Sequence, residues 1–322
     1  MTRCENLKMG NKILSIVIVN YRTPELTIRC IESVYATTKT QFEIIVVDNA
    51  SGDDSRDRIC SSFGDVVWIQ NEVNDGFGRA NNKGVANAKG QYILLLNSDM
   101  VLTDGCIDYC MEQIMGDGML AAYSCRLVNI DGSMQRNVYY DIASKRKILE
   151  SSVLFVKLFG IHEISTKEEI KAIMGAFMLM HKEKFEEVRG FDPDFFMYSE
   201  EIDLCRRMAL KGYVFGCTDA VYAIHKHEGS STCKLTTYRQ RLLSESLMVY
   251  KIKGLFGYLL YHFLSFNVFV TNLIISIFVA KYRLSTIMIN KAYFMNFGQF
   301  ITIPLLYSRN LGQGKRMLKV KR

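Results

Sequence analysis

The first hundred residues alternate short apolar runs with stretches of helical period, the rhythm of βαβ units. Residues 14–19 (LSIVIV) form an unbroken, largely β-branched run, as expected of a strand covered on both faces of a parallel sheet. Thr23-Pro24-Glu25 then opens a helix with proline in its first turn, and Leu26, Cys30, Ile31 and Val34 supply its apolar face. Residues 42–47 (FEIIVV), 66–69 and 92–96 (YILLL) predict three further strands. Residues 76–88 (GFGRANNKGVANA) predict a helix whose small side chains suit close packing on a sheet. Beyond residue 100 the pattern weakens. Residues 119–124 and 138–140 suggest strands, 144–169 a partly helical insertion, and 173–180 (IMGAFMLM) a strand followed by a helix through Phe185 and Val188. Ser199 is placed to cap a helix with Glu200, Glu201 and Asp203 in its first turn, where acids favour the helix dipole. Residues 214–215 and 220–224 predict two short strands, the second ending at His225.

Charge divides the chain in two. The 322 residues carry a net charge of +7, yet eleven of the 40 Lys and Arg residues and none of the 33 acids lie in 251–322. The first 250 residues therefore hold 29 basic against 33 acidic groups, a mildly acidic globular part joined to a cationic, apolar tail. That asymmetry points to an anionic membrane surface rather than to nucleic acid. We read 1–250 as one globular domain and 251–322 as a helical, membrane-associating region. Residues 254–280 are long enough to span a bilayer at about 1.5 Å per residue. Tyr258, His262, Ser265, Asn272 and Ser276, however, give that stretch one polar-leaning face. A single crossing would also carry the basic end KRMLKVKR outside. Helices lying in the cytoplasmic interface, a peripheral or monotopic attachment, are the preferred reading over a span at 254–280. The N-terminal MTRCENLKMGNK has no apolar core of the secretory kind. Nine scattered cysteines without a CxxC pair suit a reducing compartment, with Cys106 and Cys110 on one helix face. Oligomeric state is not legible.

Three polar clusters follow predicted strands, the edge of an open α/β sheet where ligands bind. Asp48 follows FEIIVV, Asp99 follows YILLL, and Glu200, Glu201 and Asp203 head a helix after FDPDFFMY. An acid at a strand end suits a hard divalent cation, and a carboxylate at Glu200 or Glu201 suits a general base. Each has an ordinary reading too: a turn or cap for the strand-end acids, a dipole partner for the helix-start acids, and an ion pair of Asp203 with Arg206 or Arg207.

Taken in order, SIVIVNYRTPELTIRCIESV, VVDNASGDDS, NDGFGRANNKGVANAKGQYILLLNSDM, MGAFMLMHKEKFEEVRGFDPDFFMYSEEIDLCRR and IHKHEGSS resemble glycosyltransferase family 2, in particular its bacterial rhamnosyltransferase-like branch. The resemblance covers roughly residues 13–250 and implies a GT-A, nucleotide-diphospho-sugar transferase fold: a Rossmann-like mixed sheet with the helical tail appended. It implies inverting transfer from a nucleotide-sugar donor, of dTDP-rhamnose or UDP-hexose type, to a glycan acceptor, with a polyprenyl-diphosphate-linked one fitting the membrane tail. By the same resemblance Asn20, Tyr21 and Thr23 edge the nucleotide pocket. Asp48 contacts the base with Asn49 beside it, and Asn74, Gly76, Phe77, Gly78 and Arg79 lie under the nucleotide and diphosphate. Asn97-Ser98-Asp99 stands at the DxD-type position, with Asn in place of the first Asp. Asp99 then contacts Mg²⁺ or Mn²⁺, helped by His225 or His227. Glu201 is the base, with Glu200 as the fallback. A processive synthase is excluded because its QxxRW motif needs a tryptophan and the single one here is Trp68. The first βα turn, NYRTPE, lacks the GxGxxG of dinucleotide oxidoreductases. A non-catalytic nucleotide-sugar sensor or scaffold would keep the fold while losing the acids, and here they remain.

Overall fold

The computed structural model describes residues 13–139, 172–226, 234–278, 280–314 and 317–320. These fall into two compact units, one built from the residues up to 139 with 172–191 and 201–226, the other from 192–200 and the residues from 234 onward.

The first unit is a single mixed sheet with helices on it. Its elements are β1 (Leu14–Asn20), α1 (Pro24–Thr37), β2 (Phe42–Asp48), α2 (Ser55–Ser62), β3 (Val67–Gln70), α3 (Gly76–Ala86), β4 (Tyr92–Asn97), β5 (Met100–Leu102), α4 (Cys106–Gly116), β6 (Leu120–Val128), β7 (Val138–Tyr139), β8 (Ala172–Ile173), β9 (Phe177–His181), α5 (Lys182–Glu187), α6 (Glu200–Ala209) and β10 (Val214–His225). The strand order is β3-β2-β1-β4-β9-β6-β10-β5, with β7 and β8 pairing apart. β1 lies parallel to β2 and β4, and β6 parallel to β10. β9 runs antiparallel between β4 and β6, and β5 antiparallel to β10.

The continuous apolar runs are central strands, as their pattern requires. Ile16, Ile18, Ile44, Val46, Leu94 and Leu96 pack in one core with Cys30, Ile31 and Val34 of α1 and Ile107, Cys110 and Ile114 of α4. On the opposite face α3 approaches closely. A Cβ on its Gly84 would stand 2.3 Å from Val17 Cγ1, so the small residues read in the sequence do set the helix–sheet distance. Cys106 and Cys110 are both fully buried on α4, as their spacing implies. Three boundaries differ from the sequence reading. The segments at 214–215 and 220–224 are one twelve-residue strand, because β6 pairs along its length with a register shift between Thr218 and Tyr222. The run 173–180 is interrupted into β8 and β9. Ser199 precedes α6 in a left-handed conformation at φ 68°, not the extended geometry of an ordinary N-cap. The expected insertion at 144–169 lies outside the described residues.

The second unit contains two long helices, α7 (Lys234–Phe278) and α8 (Ala280–Leu306). Gly254, at φ 68°, breaks α7 into two segments. Tyr258 Oη donates to Phe300 O at 2.8 Å, His262 Nδ1 lies 3.1 Å from Tyr293 Oη, and Asn296 Nδ2 donates to Arg239 O at 2.7 Å. Of the polar face read at Tyr258, His262, Ser265, Asn272 and Ser276, Tyr258 and His262 are turned onto α8 and Ser265 is buried, while the side chains of Asn272 and Ser276 lie outside what is described; Asn290, Asn296 and Gln299 of α8 are buried too. The helices expose many apolar side chains, including Phe256 (81% exposed), Leu259, Phe263, Ile301 and Leu305 (70%), beside basic ones such as Lys253 and Lys291. Among the described residues, one helical stretch, Leu235–Thr271, is long and apolar enough to cross a membrane. Gly298 and Pro304, read as interruptions, fall within the continuous helix α8.

Candidate active site

The carboxyl ends of β1, β2 and β4 lie side by side in register, Asn20 opposite Asp48 and Val19 opposite Asn97. Two distinct polar clusters form along this edge.

The first surrounds Asp48, which is 2% exposed. Its Oδ1 accepts from Asn20 Nδ2 at 2.7 Å and Ser51 Oγ at 2.5 Å, and its Oδ2 from Ser51 N at 2.9 Å and Gln70 Nε2 at 2.6 Å. Four donors fill the capacity of a carboxylate. The buried charge is therefore fully solvated by protein, and it fixes the turn after β2. Asn20 Oδ1 accepts from Thr27 Oγ1 at 2.9 Å and Thr23 Oγ1 at 3.3 Å, and Thr23 Oγ1 reaches Ser98 Oγ at 3.2 Å. Tyr21, half-buried, stacks under Arg22, whose guanidinium carbon is 5.3 Å from the ring centre. Asn49 Nδ2 donates to Asn74 Oδ1 at 3.2 Å and Gly76 O at 3.0 Å, while its Oδ1 accepts from Asp75 N at 3.0 Å. Asn74 Oδ1 also accepts from Gly76 N at 3.0 Å, so Asn49 and Asn74 together shape the start of α3, which carries Phe77, Gly78 and Arg79. Of the residues expected around a nucleotide, Asn20, Thr23, Asp48, Asn49, Asn74 and Gly76 are thus joined in one hydrogen-bonded network.

The second cluster lies where the β4–β5 turn meets the end of β10. His225 pairs with Met100, and Lys226 N donates to Asp99 O at 3.1 Å. Asp99 and His225 are both nearly buried, with His225 Nε2 3.3 Å from Asp99 Oδ1 and 3.5 Å from Asn97 Nδ2. A residue absent from the sequence reading, Gln135, decides the chemistry. Its Nε2 donates to His225 O at 2.7 Å and to Asn129 Oδ1 at 2.6 Å, which fixes the amide so that Oε1 faces His225 Nδ1 at 2.9 Å. An amide oxygen only accepts, so Nδ1 carries a proton and the ring is fixed with Nε2 beside the Asp99 carboxylate. An imidazole nitrogen and a carboxylate oxygen 3.3 Å apart can share a cation, either a proton or a metal. Outer-shell hydrogen bonding of this kind orients metal-ligating histidines generally. One carboxylate oxygen and one imidazole nitrogen suit Mg²⁺ or Mn²⁺ when phosphate oxygens and water complete the shell. Beneath, Cys30 Sγ donates to Asn97 O at 3.5 Å, and burial, then the charge of Asp99, pushes that thiol up so that it stays neutral. His227, the alternative histidine, lies outside the described residues.

β9 links this cluster to the candidate base. Asn97 N donates to Ala176 O at 3.0 Å, and a Cβ on neighbouring Gly175 would sit 3.0 Å from the Phe77 ring and 4.0 Å from Glu201 Cβ. Asn97, Phe77 and Glu201 thus border one place on the sheet edge. Glu201 is partly exposed and Glu200 is buried, and the two open α6. Asp203 takes the ordinary reading: its Oδ2 accepts from Arg207 Nε at 2.7 Å, and the same guanidinium donates to Val188 O and Gly190 O.

Residues 15–189 match the model of the family described as glycosyl transferase family 2. The chain belongs to that family. As a family 2 glycosyltransferase it is similar to glycosyltransferase GlyG of Streptococcus pneumoniae serotype 4, 26% identical over 239 residues that cover 68% of this chain and 73% of that one. It is equally similar to rhamnosyltransferase WbbL of Escherichia coli K12, 26% identical over 224 residues, 65% of this chain and 82% of that one. Among solved structures the fold is shared with the mannosyltransferase PcManGT of Pyrobaculum calidifontis, in complex with GDP-Man and Mn²⁺: TM-score 0.55 and 11% identity over 92% of this chain and 88% of that one. It is shared also with S. aureus TarS 1-349, in complex with UDP-GlcNAc, at TM-score 0.53 and 14% identity over 90% and 81% of the two chains. The fold expected from the sequence, a GT-A-like mixed sheet, is the observed one.

Proposed function

We propose that this glycosyltransferase catalyses inverting, metal-dependent transfer of a sugar from a nucleotide-sugar of dTDP-rhamnose or UDP-hexose type. The acceptor is a hydroxyl of a glycan carried on a polyprenyl diphosphate, and the product a surface polysaccharide of the O-antigen or capsule kind. The observation that supports the metal-dependent part is the pairing of Asp99 Oδ1 with His225 Nε2 at the sheet edge, the ring being held through Nδ1 by Gln135. Asp99 and His225 would hold Mg²⁺ or Mn²⁺, which when bound neutralises charge on the departing diphosphate. Glu201, with Glu200 behind it, takes the proton from the acceptor hydroxyl. The freed oxygen forms its bond to the anomeric carbon on the face opposite the diphosphate, the sugar–phosphate bond breaks, and nucleoside diphosphate leaves.

The tail supports a lipid-borne acceptor. Its helices bury polar side chains against each other and expose Phe256, Phe263 and Leu305, the reverse of a water-soluble bundle, and its charges are all basic. We infer a monotopic attachment at the cytoplasmic face, with that apolar surface in the lipid.

The reading is tested by nucleoside-diphosphate release from a panel of nucleotide sugars with membranes, with and without EDTA. Turnover of one donor that EDTA abolishes and Mn²⁺ or Mg²⁺ restores is expected, as is loss of turnover in Glu201→Gln. Turnover indifferent to EDTA removes the metal, and no turnover of any donor removes the reaction. Release of the protein from membranes by carbonate would oppose an embedded tail.

A further inference from the structure

In the second unit, the segment just before the candidate base is held by the far end of the chain. Residues 192–200 lead directly into Glu201, and their backbone is strained: Tyr198 and Ser199 both adopt left-handed φ values, 69° and 68°. Each such non-glycine residue costs on the order of 1–3 kcal/mol and persists only where its surroundings over-determine it. Here they do. Lys251 Nζ lies 2.7 Å from Asp192 Oδ2 and 2.8 Å from Asp194 Oδ2, all three side chains at most 4% exposed. The free carboxylate oxygens accept backbone N–H groups from the C-terminal segment, Gly312 N to Asp192 Oδ1 and Gly314 N to Asp194 Oδ1, each at 3.0 Å. Leu318 N donates to Asp194 O at 2.8 Å and adds a bridge beside Phe195, and Lys319 Nζ sits 4.2 Å above the Phe196 ring. From α7, Ser244 Oγ donates to Met197 O at 2.7 Å.

A buried cluster of two carboxylates and one ammonium is poor value as a source of stability, because desolvation offsets its attraction. Burial alone works against charge on Lys251, and the two carboxylates outweigh it and raise its pKa. What the cluster supplies is fixed geometry. We propose that Lys251 and the C-terminal residues 310–314 and 317–320 form a clamp on Asp192 and Asp194 that positions the strained 198–199 backbone and, through it, the carboxylate at the head of α6. Lys251, Asp192, Asp194 and Gly314 are on this view positioning residues for the transfer step, although the last lies more than a hundred residues away along the chain. The inference rests on the assignment of the base to Glu201 or Glu200.

Gly314→Ala tests it locally, since a Cβ there would stand 2.5 Å from Asp194 Oδ1 and 2.6 Å from Tyr307 Cδ1. In the full chain this variant is expected to speed amide hydrogen exchange at 194–204 at least tenfold, leaving exchange in β1, β2 and β4 unchanged. It should lower kcat about 10- to 100-fold, the usual consequence of a catalytic group displaced by an ångström. The donor KM and the Kd for UDP or dTDP with Mn²⁺ should hold. Lys251→Met is expected to do the same and Lys251→Arg to restore part of the loss. Unchanged exchange at 194–204, or loosened exchange with normal kcat, would overturn the clamp. So would a fall in kcat accompanied by equal loss of nucleotide affinity, which marks general destabilisation. If the unmodified chain turns over no donor, the functional reading fails, and hydrogen exchange still decides whether the clamp holds the segment.

Discussion

Two acids stand at the carboxyl ends of the strands that flank β1, Asp48 closing β2 and Asp99 two residues beyond β4, and they are built differently. Asp48 is surrounded by donors: two amides, a hydroxyl and a backbone N–H fill its four acceptor positions. Asp99 faces the Nε2 edge of a histidine whose other nitrogen is committed to Gln135. Burial and strand-end position are common to both, so neither property separates a structural acid from one prepared for a ligand. What faces the carboxylate does. A nucleobase that engages Asp48 has to take the place of a donor already there, with the part-buried Gln70 amide the most accessible, whereas a cation at Asp99 can be shared with the ring nitrogen beside it.

The largest effect should follow from removing the prepared acid. Asp99→Ala is expected to lower metal-dependent turnover on the order of 10²- to 10³-fold, the range seen when one electrostatic partner of a developing charge is deleted. Full metal-dependent activity in that variant would dissolve the contrast with Asp48. Gln135→Leu comes next. Without the amide oxygen the imidazole is free to carry its proton on Nε2 and donate to Asp99, which blocks the ligand position. Mn²⁺ affinity, read by titration, should fall about 10- to 100-fold, as for other outer-shell partners of metal-binding histidines. An unchanged affinity would mean that the tautomer is set elsewhere.

Gln135 also marks where the sequence stops being readable. β1, β2 and β4 could be placed from their unbroken apolar runs, and α1 from Pro24 and its four apolar positions, because those signals are local. The order of motifs up to His225 carried the family. Nothing local distinguishes Gln135 from any polar loop residue, since its role arises only when β10 brings His225 across a gap of ninety residues. The same holds for Gly314 against Asp194. The polar stripe at 258–265 shows the complementary failure. Its period was legible, but a period says that one face differs and leaves open what covers it. α8 covers Tyr258 and His262 here, and many of the side chains left exposed are apolar.

The smallest effects give the sharpest version of the comparison, because they use one substitution at two places and read stability instead of activity. Replacing either acid by asparagine exchanges one acceptor oxygen for an NH₂ donor. At Asp48 that donor meets others. If it takes the Oδ1 position it faces Asn20 Nδ2, and if it takes the Oδ2 position it faces Ser51 N and Gln70 Nε2. One buried donor is left unsatisfied in either orientation, so Asp48→Asn should cost about 1–3 kcal/mol. At Asp99 the new amide can turn either its NH₂ or its oxygen toward His225 Nε2, so a site prepared for a cation predicts that Asp99→Asn leaves stability within about 0.5 kcal/mol. Urea unfolding of the two variants in EDTA, with the wild type as reference, measures both. Equal losses at the two sites would show that the Asp99 environment is donor-rich like that of Asp48, and the case for a cation there would go with it.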